Sequence, residues 1–519
     1  MKRALISVSD KTGVVELAKS LAGLGFEIIS TGGTYKAISG GGVPVRTISE
    51  ITGFPECLDG RLKTLHPKIH GGLLAVRDNK SHMDYMFDLG IGMIDLLVVN
   101  LYPFKQTVLN PAATLADAIE QIDIGGPAML RSAAKNNRFV GAAVDPADYP
   151  ALLAELKEKG RLSPETGLYL AAKVFAHTAH YDCLIADYLA KAAGLGTFPQ
   201  TTTFTYEKAQ ELRYGENPRQ EAAFYREIPA DGNALPGAVQ LHGKELSFCN
   251  INDANGALEL LKEFGETPAV VACKHAAPCG VGTGAGIAEA FAKARDCDPE
   301  SIFGGIVAAN GEIDEETAAG INKIFIEIVI AKSFSPKALE ILKQKKNIRL
   351  LELPGIAEKR PVNALDMKKV MGGLLVQTAD NGVLDEAALE FVTKRRPTES
   401  EMADLKFAFA VVKHVKSNAV VAAKNGRTIG IGGGQVNRIW ACEQALDHAR
   451  QNLGENAAQG AALASDGFFP FGDCVEAAHK AGITAVIHPG GSMNDKESVE
   501  LCDKYGMAMV LTGMRHFKH

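Results

Sequence analysis

The sequence contains no pair of cysteines in the Cys-x-x-Cys spacing that is typical of redox motifs and zinc sites. Its nine cysteines are scattered along the chain, at positions 57, 183, 249, 273, 279, 297, 442, 474 and 502. Because their number is odd and their spacing irregular, they indicate reduced thiols rather than a disulfide framework.

Long apolar runs are also missing. No stretch approaches the roughly 18 consecutive apolar residues that a membrane-spanning helix needs. The first residues, "MKRALISVSD", become polar too quickly for a signal peptide. We therefore expect a cytoplasmic protein that does not enter a membrane.

The sequence has no excess of positive charge. Its 55 Lys and Arg residues are outnumbered by 61 Asp and Glu residues, which gives a formal net charge of −6. The whole molecule therefore has no field that would attract nucleic acid or an anionic membrane, and any anionic ligand must be bound by local groups. With 519 residues, 46% of them hydrophobic, the chain is long enough for two to four domains.

The N-terminal part of the chain alternates short apolar runs with helical patterns. The runs "RALISV", "FEIIS", "IDLLVVNLY" and "RFVGAAV" have the composition of buried strands. This alternation predicts an α/β domain, with a parallel sheet and helices on both of its faces. Helical patterns continue from residue 147 to about residue 193, and glycine and proline in residues 194–201 mark a boundary. We expect the first domain to span residues 1–196.

The remainder of the chain contains an internal duplication. The segments "AVVACKHAAPCGVGTG", from residue 269, and "AVVAAKNGRTIGIGGG", from residue 419, are identical at eight of sixteen positions. Further apolar and glycine-rich elements recur downstream in the same order, which argues against a chance similarity of strands. Residues 201–519 therefore predict two related α/β units, about 201–365 and 366–519, with a ligand site between them.

The two copies differ at the residue that follows their shared lysine. The first copy has Lys274 and His275, whereas the second has Lys424 and Asn425. An imidazole transfers protons near neutral pH, and a neighbouring ammonium can stabilise developing negative charge. The pattern predicts that the pair ends a strand and that a Pro-Cys-Gly turn leads on to a helix N-terminus. A hydrogen-bonded structural histidine beside a surface lysine explains the motif alone equally well.

A zinc deaminase site lacks its ligands in this sequence. Such a site needs His-x-Glu or Cys-x-Glu followed by Pro-Cys-x-x-Cys. No second cysteine follows Pro278 and Cys279 at that spacing, and no glutamate accompanies the Lys-His pair. Cys273 closes an apolar strand, which indicates a small buried hydrophobic residue rather than a nucleophile.

Two junctions near the N-terminus suggest phosphate binding. They are "SVSDKTG" from residue 7 and "STGGT" from residue 30, each between a strand and a helix. Neither has the spacing of a Walker A loop, and each could serve only as a helix cap. Two such junctions in one parallel sheet favour a ligand that carries a phosphate. Polar segments further along the chain offer a possible pocket built from Lys63, Thr64, Tyr102, Asp123 and Lys135.

Several longer segments together resemble one enzyme family. In order along the chain they are "SVSDKTG", "STGGT", "GRLKTLHPKIHGG", "NLYPF", "EQIDIGGPAMLRSAAKN", "RYGENPRQ", "KHAAPCG", "VKSNAVV", "IGIGGGQVNR", "SDGFFPF" and "MRHFKH". Over essentially its whole length the chain is similar to the bifunctional purine biosynthesis enzymes that join phosphoribosylaminoimidazolecarboxamide (AICAR) formyltransferase to IMP cyclohydrolase.

The resemblance implies a fold and a reaction sequence. Residues 1–196 would form a methylglyoxal-synthase-like cyclohydrolase domain, and residues 201–519 a duplicated, cytidine-deaminase-like transformylase. The family transfers a formyl group from 10-formyltetrahydrofolate to the AICAR amine and then closes the purine ring with loss of water. The resemblance thus implies AICAR, formyl-AICAR, IMP and folate as small-molecule ligands, a homodimer, and no metal requirement.

The resemblance also implies roles for individual residues in formyl transfer. His275 would shuttle the proton, Lys274 would stabilise the oxyanion, and Asn418 would fix the reacting carboxamide. Further contacts with nucleotide and folate would come from Arg213, Tyr214, Glu327, Gln435, Phe468, Arg515 and His519.

For ring closure the resemblance implies catalysis by Lys63, Tyr102, Asp123 and Lys135, with Lys63 stabilising the oxyanion. The nucleotide and its phosphate would be bound by Ser7, Lys11, Ser30, Thr31, Gly32, Gly33, Thr34, Arg61, Thr64 and Asn100.

The chain departs from the family's usual pattern at two positions. Ala277 stands where bacterial members usually have Asn, and Gly472 stands where Arg is frequent. Neither departure removes the Lys-His pair, and the resemblance implies no folate or nucleotide contact for these two residues. Two other classes of function remain as alternatives. They are a zinc nucleoside deaminase, which the missing ligands disfavour, and a purine-nucleotide sensor without catalytic activity.

Overall fold

The computed structural model describes all 519 residues, which form two compact units, Met1–Thr205 and Tyr206–His519. The boundary follows the glycine- and proline-containing segment 194–201 by a few residues. Side chains of the preceding long helix explain this position, because His180 Nδ1 lies 2.5 Å from Thr205 Oγ1 and Cys183 Sγ lies 3.4 Å from Thr203 Oγ1.

The first unit is built on a five-stranded, fully parallel sheet with the strand order β3-β2-β1-β4-β5. Its strands are β1 (Lys2–Val8), β2 (Phe26–Ser30), β3 (Arg46–Thr47), β4 (Leu96–Asn100) and β5 (Gly141–Ala143). Its helices are α1 (Val14–Gly23), α2 (Gly32–Gly40), α3 (Ile48–Thr52), α4 (Pro67–Leu74), α5 (Lys80–Asp88), α6 (Phe104–Val108), α7 (Leu115–Glu120), α8 (Gly125–Lys135), α9 (Tyr149–Lys159) and α10 (Pro164–Ala192).

Both faces of this sheet are covered, as a parallel sheet requires. Alternate residues of β1 enter two separate hydrophobic cores, with Leu5 in one and Ala4 and Ile6 in the other. This arrangement confirms the predicted parallel α/β architecture. The carboxyl ends of β1, β2 and β4 lie at the same edge, which is where α/β sheets bind ligands.

The second unit contains two six-stranded sheets with the same topology. The strand orders are β10-β9-β11-β12-β13-β8 and β18-β17-β19-β20-β21-β16. The first sheet comprises β8 (Val239–His242), β9 (Ala269–Lys274), β10 (Ala277–Thr283), β11 (Ile306–Ile313), β12 (Ile328–Phe334) and β13 (Arg349–Glu352). The second comprises β16 (Glu390–Phe391), β17 (Val420–Ala423), β18 (Thr428–Gly432), β19 (Ala462–Ser465), β20 (Ala485–His488) and β21 (Ala508–Leu511). The matching orders are the structural counterpart of the sequence duplication.

The helices and hairpins of the second unit complete its layers. The helices are α11 (Phe248–Leu261), α12 (Ile287–Cys297), α13 (Glu315–Asn322), α14 (Pro336–Leu342), α15 (Glu399–Val412), α16 (Arg438–Leu453), α17 (Asp473–Ala481) and α18 (Asp495–Tyr505). Two separate hairpins pair β6 (Glu207–Leu212) with β7 (Ala222–Arg226) and β14 (Leu365–Val370) with β15 (Gly373–Thr378). One shared core contains the inner faces of both six-stranded sheets together with α11 and α15.

The predicted turn into a helix after His275 is wrong. Pro278, Cys279 and Gly280 belong to β10, which pairs antiparallel with β9, and α12 begins only at Ile287. The chain reverses earlier, because His275 and Ala276 both have positive φ, of 54° and 56°, and form a two-residue hairpin turn.

The glycines that the two copies share serve helix packing. A Cβ added to Gly280 would lie 1.9 Å from the carbonyl oxygen of Ala294 on α12. In the second copy, a Cβ on Gly430 would lie 1.9 Å from the carbonyl oxygen of Ala445 on α16. These glycines therefore let a helix backbone approach the strand closely.

No helix of the structure is both long enough and apolar enough to cross a membrane.

Candidate functional sites

A cavity of about 580 Å³ opens at the carboxyl edge of the parallel sheet in the first unit. This volume is in the range of small-molecule binding sites. Twelve of the residues predicted for ring closure and nucleotide binding line it: Ser7, Lys11, Thr31, Gly32, Gly33, Thr34, Arg61, Lys63, Thr64, Asn100, Tyr102 and Asp123.

One end of the cavity is suited to an anion. The hydroxyls of Ser7 and Thr31 lie 2.7 Å apart, and Thr31 caps α2 without a side-chain hydrogen bond to the helix. The Lys11 ammonium is close to the same helix start, since a Cβ on Gly33 would lie 3.7 Å from Lys11 Nζ. Free backbone N–H groups, hydroxyls and an ammonium at one point can together bind a phosphate.

Two of the predicted cavity residues form hydrogen bonds with the backbone at the end of β1 and just after it. The Thr34 hydroxyl accepts from Val8 N at 3.0 Å and lies 2.9 Å from the Val8 carbonyl oxygen. Asn100 Oδ1 accepts from the backbone N–H groups of Ser9 and Asp10, at 2.5 and 2.9 Å. Both side chains therefore hold the segment after β1 in its place beside the cavity.

The structure does not bring Ser30 and Lys135 to the cavity. Ser30 is fully buried, and its hydroxyl donates to the Ile6 carbonyl oxygen at 2.7 Å. Lys135 is the last residue of α8, whereas the cavity is lined by Gly125 and Gly126 at the beginning of that helix. Ten residues of helix correspond to a rise of about 15 Å.

Asp123 and Lys63 form the polar centre of the cavity. Burial raises the pKa of Asp123, while the Gly126 N–H group, which donates to Oδ1 at 2.8 Å, and the positive charge of Lys63 act in the opposite direction. The second carboxylate near Lys63 is that of Glu56, whose Oε1 lies 4.0 Å from Lys63 Nζ. A partly buried carboxyl group with a raised pKa next to an ammonium is typical of an acid/base site.

Sequence reasoning missed the acidic rim and the close helix start of this cavity. Glu56, Asp59 and Glu120 all line it, and Glu120 pairs with Arg61. A Cβ on Gly126 would lie 2.3 Å from Asp123 Oδ2, so this position needs glycine. The "DIGG" segment carried that signal, because a glycine pair two residues after an acidic residue marks a close approach of the backbone.

In the second unit, the hairpin that carries His275 has a counterpart with the same backbone. Asn425 and Gly426 also have positive φ, of 56° and 67°. Asn-Gly is the preferred pair for this turn type, whereas His275-Ala276 costs roughly 1–2 kcal/mol per residue in the left-handed conformation. The first copy therefore holds an exposed imidazole on a strained turn.

A carboxylate on the facing helix stabilises each turn. Asp253 Oδ2 on α11 accepts from His275 N at 3.1 Å. The equivalent Asp404 on α15 accepts from the N–H groups of both Asn425 and Gly426, each at 2.9 Å.

The lysine shared by the two copies has a structural contact in both. Lys274 Nζ donates to the Phe303 carbonyl oxygen at 2.9 Å, and Lys424 Nζ donates to the Gln459 carbonyl oxygen at 2.6 Å. These contacts support the structural interpretation of the lysine. The imidazole of His275 remains the group that only the first copy possesses.

The structure brings Asn418 and Gln435 together. Asn418 Nδ2 donates to the Gln435 carbonyl oxygen at 2.8 Å, and Asn418 N donates to the same oxygen at 3.0 Å. Fully buried Asp466 holds the flanking backbone, since it accepts from Ala419 N at 3.0 Å and from the Ser417 hydroxyl. The Asn418 amide therefore has a fixed orientation.

The C-terminal segment is attached beside Asn418 and to α11. Ser417 N donates to the Lys518 carbonyl oxygen at 2.9 Å, and Lys518 Nζ lies 3.0 Å from Glu259 Oε2 on α11. The Arg515 guanidinium lies 4.7 Å from the centre of the Phe517 ring, and that centre lies 5.9 Å from the centre of the His519 ring.

Arg213, Tyr214 and Glu327 form a separate group with Arg349. The Arg213 guanidinium lies 5.9 Å from the centre of the Tyr214 ring. Glu327 accepts from Asn250 at 2.9 Å and lies 3.7 Å from Arg349 NH1. Burial lowers the pKa of Arg349, the charge of Glu327 acts in the opposite direction, and the charge of Arg213 adds to the lowering. Phe468 presents a partly exposed ring.

The cysteines near the His275 hairpin are free thiols, of which Cys273 and Cys297 are buried and Cys279 is partly buried. Burial raises the pKa of Cys279 and of Cys297 to about 12 and also raises that of Cys273. These thiols therefore stay protonated near neutral pH and are poor nucleophiles. The structure contains no group of three or more His, Cys, Asp or Glu residues arranged to hold a metal ion.

Comparisons with known proteins match the whole chain. The family described as AICARFT/IMPCHase bienzyme matches residues 133–448, and the MGS-like domain matches residues 13–128. The chain is 58% identical over 519 residues to a protein of Acetivibrio thermocellus named "Bifunctional purine biosynthesis protein PurH", with 100% of both chains covered. Proteins of the same name from Ruminiclostridium cellulolyticum and Bacillus mycoides are 59% and 58% identical, again with 100% of both chains covered.

Proposed function

Because the chain belongs to the family of bifunctional enzymes that combine AICAR formyltransferase with IMP cyclohydrolase, we propose that its two units divide these reactions. The enzyme catalyses the last two steps of IMP biosynthesis. The second unit performs formyl transfer, and the first unit, an MGS-like domain, performs ring closure. The cavity around Lys63 and Asp123, with its anion-binding end, is the observation that carries the second assignment.

The formyl donor is 10-formyltetrahydrofolate. The AICAR amine attacks the formyl carbon, a new C–N bond forms, and the carbonyl oxygen becomes an oxyanion. His275 takes the amine proton and returns it to the folate nitrogen as the bond between that nitrogen and the formyl carbon breaks. The products are formyl-AICAR and tetrahydrofolate, and neither step uses a metal.

The oxyanion is stabilised by Lys274. An ammonium has three N–H donors, and only one of them is occupied by the Phe303 carbonyl oxygen. The other two can face the developing charge. The Nδ2 group of Asn418 donates to the Gln435 carbonyl oxygen, so its Oδ1 atom is available to accept from the AICAR carboxamide. Nucleotide and folate are further bound by Arg213, Tyr214, Glu327, Gln435, Phe468, Arg515 and His519.

Ring closure takes place in the first unit. The carboxamide nitrogen attacks the formyl carbon within the same molecule, so positioning supplies a large part of the rate. Lys63 stabilises the oxyanion, and Asp123 takes one proton from the attacking carboxamide nitrogen and delivers it to that oxygen. The resulting hydroxyl then leaves as water with the proton of the former formamide nitrogen, as a C=N bond forms between that nitrogen and the former formyl carbon. The phosphate is bound at the start of α2 by Ser7, Lys11 and Thr31–Thr34, whereas Ser30 supports this segment through its hydrogen bond to the Ile6 carbonyl oxygen. Tyr102, Arg61, Thr64 and Asn100 complete the site, and Lys135, at the far end of α8, has no part in it.

The test supplies the full-length protein with AICAR and 10-formyltetrahydrofolate and follows tetrahydrofolate and IMP. A second assay supplies formyl-AICAR alone. His275→Ala is expected to stop formyl transfer while ring closure continues, and Lys63→Ala is expected to impair mainly ring closure. Loss of both activities in both variants would contradict the two-site assignment. Nucleotide binding without any turnover would instead indicate a purine-nucleotide sensor.

We also propose a cytoplasmic homodimer. All nine cysteines are free, which fits a reducing compartment. The β14–β15 hairpin exposes apolar side chains, among them Met371, Leu374 and Leu375, that a second copy of the chain could cover. Analytical ultracentrifugation of the enzyme tests the assembly, and a monomer at micromolar concentration would contradict it.

A further inference from the structure

We propose that Tyr181 is a positioning residue for ring closure, because its phenol holds the backbone segment that presents Asp123. Tyr181 lies on α10, is buried, and does not line the cavity. The inference rests on the proposed function, in which Asp123 acts in ring closure. It adds a residue that does not touch the substrate.

The phenol makes two hydrogen bonds to one short segment. Its hydroxyl donates to the Gln121 carbonyl oxygen at 2.7 Å and accepts from the Asp123 N–H group at 3.0 Å. These two backbone groups flank Ile122, between the end of α7 and the beginning of α8. A single hydroxyl outside the cavity therefore bridges the two backbone groups on either side of Ile122.

The segment depends on Tyr181 because neither helix supplies these bonds. The N–H groups of Gln121 and Ile122 are bonded to the end of α7, but that of Asp123 is bonded only to the phenol. On its other side, the Asp123 carboxylate accepts from Gly126 N at the start of α8. The residue is thus held at its backbone by Tyr181 and at its side chain by α8.

The phenol itself is held in one orientation. Its ring packs edge-on against Phe104, with ring centres 6.1 Å apart and an interplanar angle of 70°. Burial raises the pKa of Tyr181 to about 12, so the hydroxyl remains a neutral donor and acceptor over the working pH range.

Tyr181→Phe tests the proposal with little change in shape, and Tyr188→Phe is its control. Tyr188 lies on the same helix and also packs edge-on against Phe104, at 5.8 Å and 88°, without a bond to the Asp123 segment. For ring closure of supplied formyl-AICAR, Tyr181→Phe is expected to lower kcat about 10- to 100-fold and to leave KM within about twofold. Formyl transfer in the second unit, and both activities of Tyr188→Phe, should be unchanged.

A double-mutant cycle separates positioning from general structural support. If Tyr181 acts through Asp123, Tyr181→Phe should reduce the residual activity of Asp123→Ala no further. Full ring closure by Tyr181→Phe, or a loss that adds to that of Asp123→Ala, would overturn the inference. If Asp123→Ala itself retained full activity, the proposed role of Asp123 would fail as well, so the two failures are distinguishable.

Thermal unfolding by circular dichroism and a crystal structure of Tyr181→Phe test whether a loss of activity comes from unfolding of the first unit rather than from movement of Asp123. The expected structure keeps the fold of the first unit and shows Asp123 displaced from Gly126 N. An unchanged Asp123 together with reduced activity would overturn the proposal.

Discussion

Gly256 on α11 and Ala276 in the hairpin turn are a complementary pair. A Cβ on Gly256 would lie 3.0 Å from the Ala276 carbonyl oxygen and 3.2 Å from the Ala276 Cβ. The second copy has the reverse arrangement, with Gly426 in the turn and Phe407 at the equivalent helix position. The first copy therefore keeps a methyl group in a left-handed turn and leaves space for it on the facing helix.

Ala276→Gly is expected to raise stability and to lower formyl transfer. Glycine adopts the observed φ of 56° without a steric penalty, so the free energy of unfolding should rise by about 1 kcal/mol. The same freedom loosens the turn that carries His275, and the rate of tetrahydrofolate formation should fall several-fold. Denaturant unfolding and initial rates measure the two effects. A variant that is more stable and equally fast would show that the strain has no catalytic purpose.

Lys274→Met and Lys424→Met form a matched pair. Each removes the hydrogen bond from an ammonium to a backbone carbonyl oxygen, so each should lower the free energy of unfolding by about 1–2 kcal/mol. Only Lys274→Met should lower formyl transfer strongly, by about 100-fold or more, since only that lysine is next to the imidazole. Equal kinetic effects of the two substitutions would assign the lysine a structural role alone.

Gly280→Ala and Gly430→Ala test whether the repeated glycines serve packing or ligand binding. In both variants the new Cβ would lie 1.9 Å from a helix carbonyl oxygen, so each should destabilise the second unit by about 3 kcal/mol or more. Gly232→Ala is the control, since nothing lies within 4 Å of its added Cβ. Stable variants with impaired substrate binding would indicate that the glycines contact a ligand instead.

The sequence predicted the elements of the fold better than their connections. Strand composition and the repeat of residues 269–284 at 419–434 are local signals, and both correspond to sheets in the structure. The His275-Ala276 turn was missed because neither residue usually adopts the left-handed conformation. At the equivalent position of the second copy, Asn425-Gly426 is a strong sequence signal for the same turn. Its conformation depends on Asp253 and Gly256 of α11, about twenty residues earlier, which a local pattern does not reveal.

In the candidate sites, too, local patterns were predicted correctly, whereas contacts between residues distant in the sequence were not. Hydroxyls and glycines after β1 and β2 predicted the anion-binding end of the cavity, because the carboxyl ends of parallel strands share an edge. Ser30 and Lys135 were included through motif membership, but one points its hydroxyl at the Ile6 backbone and the other ends α8. Tyr181 escaped notice since its partner Asp123 is 58 positions away in the sequence.

Glu401 gives a prediction about pH. Its carboxylate lies 2.6 Å from both Arg395 NH2 and Thr484 Oγ1, and it also accepts from Thr398 N at 2.8 Å. Although burial opposes ionisation, these partners lower the pKa of Glu401 to about 2. Glu401→Gln is therefore expected to lower the free energy of unfolding at pH 7 by about 2 kcal/mol, because a charged acceptor is replaced by a neutral one.

The sign of this effect follows from proton binding. The unfolded state takes up the Glu401 proton near its ordinary pKa of about 4.3, whereas the folded state resists protonation until about pH 2. The stabilisation is therefore complete above about pH 5 and disappears as the pH falls toward 2. Urea unfolding of wild type and Glu401→Gln at pH 7, 5 and 3.5 should show a constant difference at the first two values and a smaller one at the third. Glu399→Gln, on the same helix turn, is the control, and a difference that grew toward acid would contradict the assignment.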